Sequence, residues 1–221
     1  MSGSVAALAG DTLLGELELN PDQRSARSLA PAIGELLTQV GWKPGDVELV
    51  AVTVGPGSFT GLRVGVTTAK TFAYAVGAQA LGLNTLEVIA AQVPRDLPGE
   101  TLAAALDAHR GEVFAAAFRR GGAGTAEWLQ EAAIVTRDDW LASLPPGCLV
   151  SGPVLSQLAD RVPAGRICVP SELWHPTAAT VGRLAAAKHA AGPSGDPWGL
   201  VPLYMRRSAA EEKAVVREMP A

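Results

Sequence analysis

Residues 47–76 constrain the fold more than any other stretch. VELVAVTV runs into the glycine-rich loop GPGSFTG, and a long stretch of helical composition follows. An almost uninterrupted apolar strand is buried on both faces, as in a parallel sheet. Such a strand needs covering layers on both sides, and the helix that follows it, over about 62–76, supplies one of them. Residues 79–83 read as another strand, and Asn84-Thr85-Leu86-Glu87 opens a third helix. This alternation predicts an α/β protein. In the loop, Gly55, Gly57, Ser58, Thr60 and Gly61 fit an anion cradle, because N–H groups at a helix start attract negative charge. They fit a tight turn for close helix–sheet packing equally well. The spacing is neither G-x-G-x-x-G nor a Walker loop, since Leu62 and Arg63 follow Gly61 where a lysine and a hydroxyl are required. Ser58 and Thr60 read as helix caps rather than nucleophiles.

The rest of the chain fits the same scheme. Residues 4–9 and 13–19 form a hairpin about Gly10-Asp11, and Asn20-Pro21-Asp22 breaks the chain. A helix follows over 23–40, with Leu29, Ile33, Leu36, Leu37 and Val40 on one stripe and Gly41 at its end. In the next helix Gly61, Gly65, Ala69 and Ala73 recur every fourth residue, a stripe that lets another backbone approach closely. The polar connection 95–99 (RDLPG) is the expected boundary between a lobe of residues 1–97 and a lobe of residues 98–221.

Beyond that connection, a strand over 102–106 ends in Asp107, turns at 108–111 and returns over 112–118. A turn at 121–124 leads to a strand near 127–131, and a helix begins near Asp138. Residues 148–150 and 167–169 are short strands with a helical stretch between them. His175-Pro176 opens a helix to about Ala191, and a charged tail runs from Arg206. The order of strand, turn, strand and helix occurs twice. The second copy is preceded by a strand, residues 102–107, and the first by almost nothing. A duplicated fold with one opening strand missing follows.

Composition removes several function classes. Hydrophobic residues make up 48% and charged residues 18%, which excludes a disordered chain. A net charge of −4 without a Lys/Arg run excludes a nucleic-acid binder that acts by its own basic face. Two cysteines, Cys148 and Cys168, make no disulfide framework or zinc pattern and suit a reducing cytosol. No apolar run reaches the about 18 residues that span a bilayer, and the first residues lack signal-peptide features, so a cytoplasmic protein is expected. The three histidines lack metal-site spacing. The five tryptophans read as packing anchors. Asp107 fits either a metal–phosphate ligand or a solvated turn, and Arg63 and Lys70 fit either acidic groups on a partner or a solvated helix face.

Three segments carry a family resemblance. Residues 54–87 (VGPGSFTGLRVGVTTAKTFAYAVGAQALGLNTLE), Asp107-Ala-His-Arg-Gly-Glu-Val-Phe, and Pro202-Leu-Tyr-Met-Arg with Ala210-Glu-Glu-Lys resemble hallmark motifs of the TsaB (YeaZ) family, in order and over nearly the whole chain. The resemblance implies a two-lobed actin/Hsp70-like ATPase fold with an RNase H-like unit in each lobe. It implies a non-catalytic subunit in making N6-threonylcarbamoyladenosine in tRNAs that read codons beginning with A. The partners implied are a catalytic TsaD subunit and the ATPase TsaE, with tRNA met only through the complex and a homodimer when the chain is alone. The donor comes from a separate enzyme, TsaC. The family's partner contact falls on the helices matching 23–40 and 62–76, hence on Leu29, Ile33, Leu36, Leu37, Gly61, Arg63, Gly65, Ala69, Lys70 and Ala73.

Two departures stand out. The family opens with a strand of the type I-L-A-I-D-T-S, and this chain starts just after it, which suggests an upstream start or a truncation. Ser25, Ala26 and Arg27 stand where the family often has His-Ser-Glu. No tightly bound cofactor or metal is expected, and any nucleotide would be weak or interfacial. An ATP-dependent small-molecule enzyme of the same fold, or less favourably a metallopeptidase, is the alternative.

Overall fold

The structure is a computed structural model that describes residues 3–20, 25–121, 126–192 and 195–206. The expected break at Pro21-Asp22, the first two residues of the first helix, the turn residues 122–124 and the tail beyond Arg206 lie outside the described residues.

The first half opens with β1 (Ser4–Ala9) and β2 (Thr12–Glu18), an antiparallel hairpin. Helix α1 (Ser25–Gln39) follows, and Gly41 adopts a positive φ of 73° while the Trp42 amide bonds back to the Leu37 carbonyl at 2.9 Å. That is the expected glycine C-cap. Strand β3 (Leu49–Gly55), helix α2 (Phe59–Val76) and strand β4 (Gln79–Asn84) form a right-to-expectation βαβ unit, with β3 parallel to β4. Helix α2 begins three residues earlier than expected, because Ser58 caps it by accepting from the Gly61 amide at 3.4 Å. Helix α3 (Thr85–Ala91) is capped by the Asn84 side chain.

The second half holds β5 (Thr101–His109), β6 (Glu112–Arg120), β7 (Ala126–Thr136), α4 (Arg137–Ser143), β8 (Leu149–Ser151), the single-turn α5 (Leu155–Leu158), β9 (Ile167–Cys168) and α6 (Ala178–Ala191). Strand β7 runs five residues beyond the expected end at Glu131, since 132–136 (AAIVT) continues the ladder with β6. The sheet order is β7-β6-β5-β8-β9. Central β5 is buried on both faces. Leu102, Ala104 and Leu106 pack on one side with α3, and Ala103 and Ala105 on the other with Trp140, Leu141, Leu155 and Leu158.

The two halves repeat one order of elements. From β6 onward, β6-β7-α4-β8-α5-β9-α6 matches β1-β2-α1-β3-α2-β4-α3. In the second half β5 lies between β6 and β8. Among the described residues of the first half no strand lies between β1 and β3, and the sheet is split into two-stranded pieces, β1-β2 and β3-β4. Among the described residues the first half thus has no counterpart of β5.

The helices that end each half cross over. Helix α3 buries Leu86, Ile89 and Ala90 against β5 and β6. Helix α6 buries Val181, Leu184 and Ala185 against Leu83 and Val88, with Leu49, Ala51 and Leu81 of β3 and β4 beside them. A Cβ on Gly182 would come within 2.4 Å of a Leu8 methyl, so glycine lets α6 lie flat on β1. The two helices meet through a 2.6 Å contact between Lys188 and the buried Glu87 carboxylate. Gln92, just after α3, uses its whole amide. It donates to the Leu173 and His175 carbonyls at 3.1 and 2.7 Å and accepts from the Thr177 amide and Thr180 hydroxyl at 3.1 and 3.2 Å.

Removing one member of such a network strands its partners. Gln92→Ala is expected to lower stability by about 2 kcal/mol, or Tm by roughly 4–8 °C. Thermal unfolding followed by circular dichroism, beside an exposed control such as Gln39→Ala, checks this.

Candidate functional site

Three features meet along one side of the molecule: the loop after β3, the outer face of α2, and the segment 198–206.

The loop is built as a turn into a helix. Gly55 has φ of 130° and is followed by a cis Pro56. A Cβ on Gly55 would stand 2.6 Å from the Leu203 carbonyl oxygen. Leu203 also donates its amide to the Val54 carbonyl at 2.7 Å. The side of Gly55 on which a Cβ would stand is therefore taken up by the chain's own Leu203 carbonyl. Ser58 is the helix cap expected of it. Thr60 is not a cap and lies exposed in the first turn.

The small-residue stripe of α2 faces inward. Ala69 and Ala73 are buried with Val66, Ala78, Ala80 and Leu200, against the half-buried valines of β3. Gly65 faces Val52, which would lie 3.5 Å from an added Cβ. The close approach predicted for a partner's backbone is made by the chain's own strand, so these residues are corrected to core positions. Gly61 belongs to the capped first turn. On α1, Leu36 and Leu37 are likewise buried, with Leu36 against Gly15 of β2. Leu29 and Ile33 are only half-buried.

The exposed face of α2 carries aromatics and cations at helical spacing: Phe59, Arg63, Lys70 and Tyr74. Arg63 stacks on the Phe59 ring at 5.4 Å. Lys70 donates to the Trp198 carbonyl at 2.9 Å and lies 5.4 Å over the Trp198 ring. Tyr74 meets Trp198 edge to face at 5.2 Å, and Phe59 meets Tyr204 at 4.8 Å. Trp198 is 62% and Tyr74 65% exposed, so Trp198 is not the packing anchor expected of it. Exposed aromatics beside cations have the composition of protein interfaces. In the sequence this face is marked by the helical spacing of 59, 63, 70 and 74.

The motif 202–206 spans both halves. Leu203 and Tyr204 hold β3 and α2, Met205 packs against the second core, and Arg206 donates to the Ala108 carbonyl at 2.7 Å and to the Glu112 carboxylate.

Asp107 lies near that clasp, at the end of β5. It is not a solvated turn residue. Its carboxylate accepts from Arg137 at 3.0 Å and from the His109 amide at 3.0 Å, and Arg137 also donates to Gln157 at 2.8 Å. His109 and Arg110 carry the positive φ angles of a tight hairpin turn. Burial pushes the Asp107 carboxyl up, but the Arg137 guanidinium and the His109 amide outweigh it and hold it below the usual carboxylate range. Among the described residues no group of three or more His, Cys, Asp or Glu is placed to hold a metal. Both thiols are free, Cys148 buried and Cys168 exposed, and burial pushes each up.

Comparison with known proteins places these features. The family model "TsaD: tRNA N6-adenosine threonylcarbamoyltransferase" matches residues 15–214. The tRNA threonylcarbamoyladenosine biosynthesis protein TsaB of Bacillus subtilis is 30% identical, over 95% of this chain and 91% of its own length. The protein of the same name from Escherichia coli is 34% identical, over 53% of this chain and 50% of its own length. The solved structure of YeaZ from Pseudomonas aeruginosa superposes with a TM-score of 0.78 over 92% of this chain and 94% of that one, at 24% identity, a likeness of fold.

A carboxylate held down in this way adds stability above its unfolded pKa and loses it as pH falls through the folded value. Arg137→Met is expected to raise the Asp107 pKa and to cost about 1–2 kcal/mol at pH 7. Part of that gap closes on acidification below the ordinary carboxylate pKa, because the parent then loses its Asp107 contribution. Urea unfolding of both proteins between pH 7 and pH 3 checks this.

Proposed function

We propose that this chain, which belongs to the TsaB (YeaZ) family and takes part in tRNA threonylcarbamoyladenosine biosynthesis, acts there as a non-catalytic subunit that binds and stabilises a TsaD-type catalytic partner. The supporting observation is the exposed aromatic and cationic face of α2, next to a loop whose Gly55 is covered by Leu203. A chain that worked as an enzyme in its own right would need that loop for substrate. A chain that worked as a partner would need an exposed face.

The partner face is α1 and α2, with Leu29, Ile33, Arg63 and Lys70 outward. Gly61, Gly65, Ala69, Ala73, Leu36 and Leu37 set the position of these helices from inside. Apolar and aromatic groups would supply binding energy, and the two cations would orient an acidic partner surface. A TsaE-type ATPase joins the pair, tRNA is met through the assembly, and the same face would support a homodimer in the partner's absence. The reaction belongs to the cytoplasm, where tRNA is modified. No helix among the described residues is long and apolar enough to cross a membrane. Any nucleotide is bound weakly or at the subunit interface.

Co-expression with the matching TsaD-type subunit is expected to give one species on gel filtration. Separate peaks at micromolar concentration would overturn the proposal. Arg63→Glu is expected to weaken the complex about tenfold, while leaving the fold intact by circular dichroism. Calorimetry of the isolated chain with Mg-ATP separates this proposal from an ATP-dependent enzyme of the same fold, for which tight binding and turnover are required.

A further inference from the structure

The exposed apolar groups of this chain are gathered in one place. Nine large hydrophobic side chains are exposed among the described residues, and six of them lie on α2 or on the segment 198–204: Phe59, Tyr74, Trp198, Val201, Leu203 and Tyr204. The other three are Leu13 and Leu14 on β2 and Leu129 on β7. A gathered patch marks a binding surface, whereas apolar groups scattered singly need no explanation.

The patch is arranged as two clusters. In the first, Tyr204 lies on Phe59 and Arg63 stacks over the same ring. In the second, Trp198 meets Tyr74 edge to face and Lys70 lies over the Trp198 ring. Each cluster joins one aromatic and one cation of α2 to one aromatic of the segment 198–204. Arg63 and Lys70 are seven residues apart, hence about 10 Å along the helix axis. Val201 falls between Trp198 and Tyr204 and is 64% exposed. Neither α2 nor the segment 197–206 contains an acidic residue, in a chain whose net charge is −4. Both clusters are also preformed. Lys70 is held by the Trp198 carbonyl at 2.9 Å, which uses one of its three protons and leaves two for another acceptor. The far end of the segment is held by Leu203 on Val54 and by Arg206 on Ala108 and Glu112. Side chains ordered beforehand lose little freedom when a partner covers them.

We propose that, given the subunit role inferred above, on which this rests, residues 198–204 form part of the partner face, with Trp198 and Tyr204 as its anchors. The face then extends past α1 and α2 onto a segment that follows α6, more than a hundred residues later in the chain. Tryptophan, tyrosine and arginine are the residues in which binding energy concentrates at interfaces, and this patch holds all three. Its charge defines what fits. The complementary surface of the TsaD-type subunit is apolar at its centre and carries two carboxylates about 10 Å apart, one for Arg63 and one for Lys70.

The test measures the affinity of the full chain for the matching TsaD-type subunit, for the parent and three variants whose folding is checked by circular dichroism. Trp198→Ala is expected to weaken the complex about thirtyfold, the loss that marks an anchor. Val201→Asp leaves both aromatic pairs intact and sets a carboxylate between the clusters, and it is expected to weaken the complex at least about tenfold. Leu129→Ala, an exposed position on β7, is expected to stay within about twofold of the parent. A parent that binds, with Trp198→Ala and Val201→Asp binding equally well, would overturn this inference and leave the subunit role standing. A parent that does not bind would overturn the subunit role, and this inference with it. If both variants lower self-association of the chain but keep full affinity for the TsaD-type subunit, the occupant is a second copy, and the inference is likewise overturned.

Discussion

The strands of the first half depend on one packing contact, the seating of α6 across β1 and β3. In an ordinary sheet, ladder hydrogen bonds hold neighbouring strands. Among the described residues the two halves of the sheet share no ladder, and side-chain packing on one helix does that work. Gly182 eases this seating, because a Cβ there would press on the Leu8 side chain and force it to shift. Helix α6 belongs to the second half by sequence, so the first lobe is held by an element from beyond its own strands. Helix α3 returns the exchange by covering β5 and β6. The Glu87–Lys188 contact and the Gln92 amide fix the two helices against each other. A half-buried ion pair of this kind adds modest stability at most.

The repeat explains why similar chemistry recurs at two places. Each half turns from a strand into a helix through glycine followed by proline, Gly55-Pro56 and Gly152-Pro153. Both glycines carry strongly positive φ angles, 130° and 123°, and both face a carbonyl at a distance that no Cβ allows. Glycine is required there by the neighbouring backbone. This gives the packing reading of the loop a specific cause. The second half uses the same device to seat its central strand.

What was legible in the sequence was mostly local. The hairpins, the glycine after α1, the Ser58 cap and the strand–helix alternation depend on residues a few positions apart, and they stand as read. The missing strand was legible because the sequence contains its own reference copy. The errors share a cause. A stripe of small residues says that something comes close, without saying what, and at Gly65, Ala69 and Ala73 it is β3. The pairing of Asp107 with Arg137 joins residues thirty positions apart, which no spacing rule reports. The exposure of Trp198 follows from where the segment after α6 lands, on the outer side of α2. Strand β7 runs on past Glu131 because the apolar run 132–136 continues its ladder with β6.

The motif 202–206 connects these points. Leu203 closes the end of β3, Tyr204 lies on Phe59, Met205 enters the second core and Arg206 grips the hairpin that follows β5. One short segment thus ties the end of β3 to the end of β5. Enzymes that close domains around a ligand keep that connection free to hinge. Here it is occupied by four consecutive residues with different tasks, two on each side. Movement of the first sheet against the second would have to break these contacts together. Tied in this way, the outer face of α2 keeps one angle to the second sheet. A face held in this way loses little entropy on association, which is in keeping with the partner role proposed above.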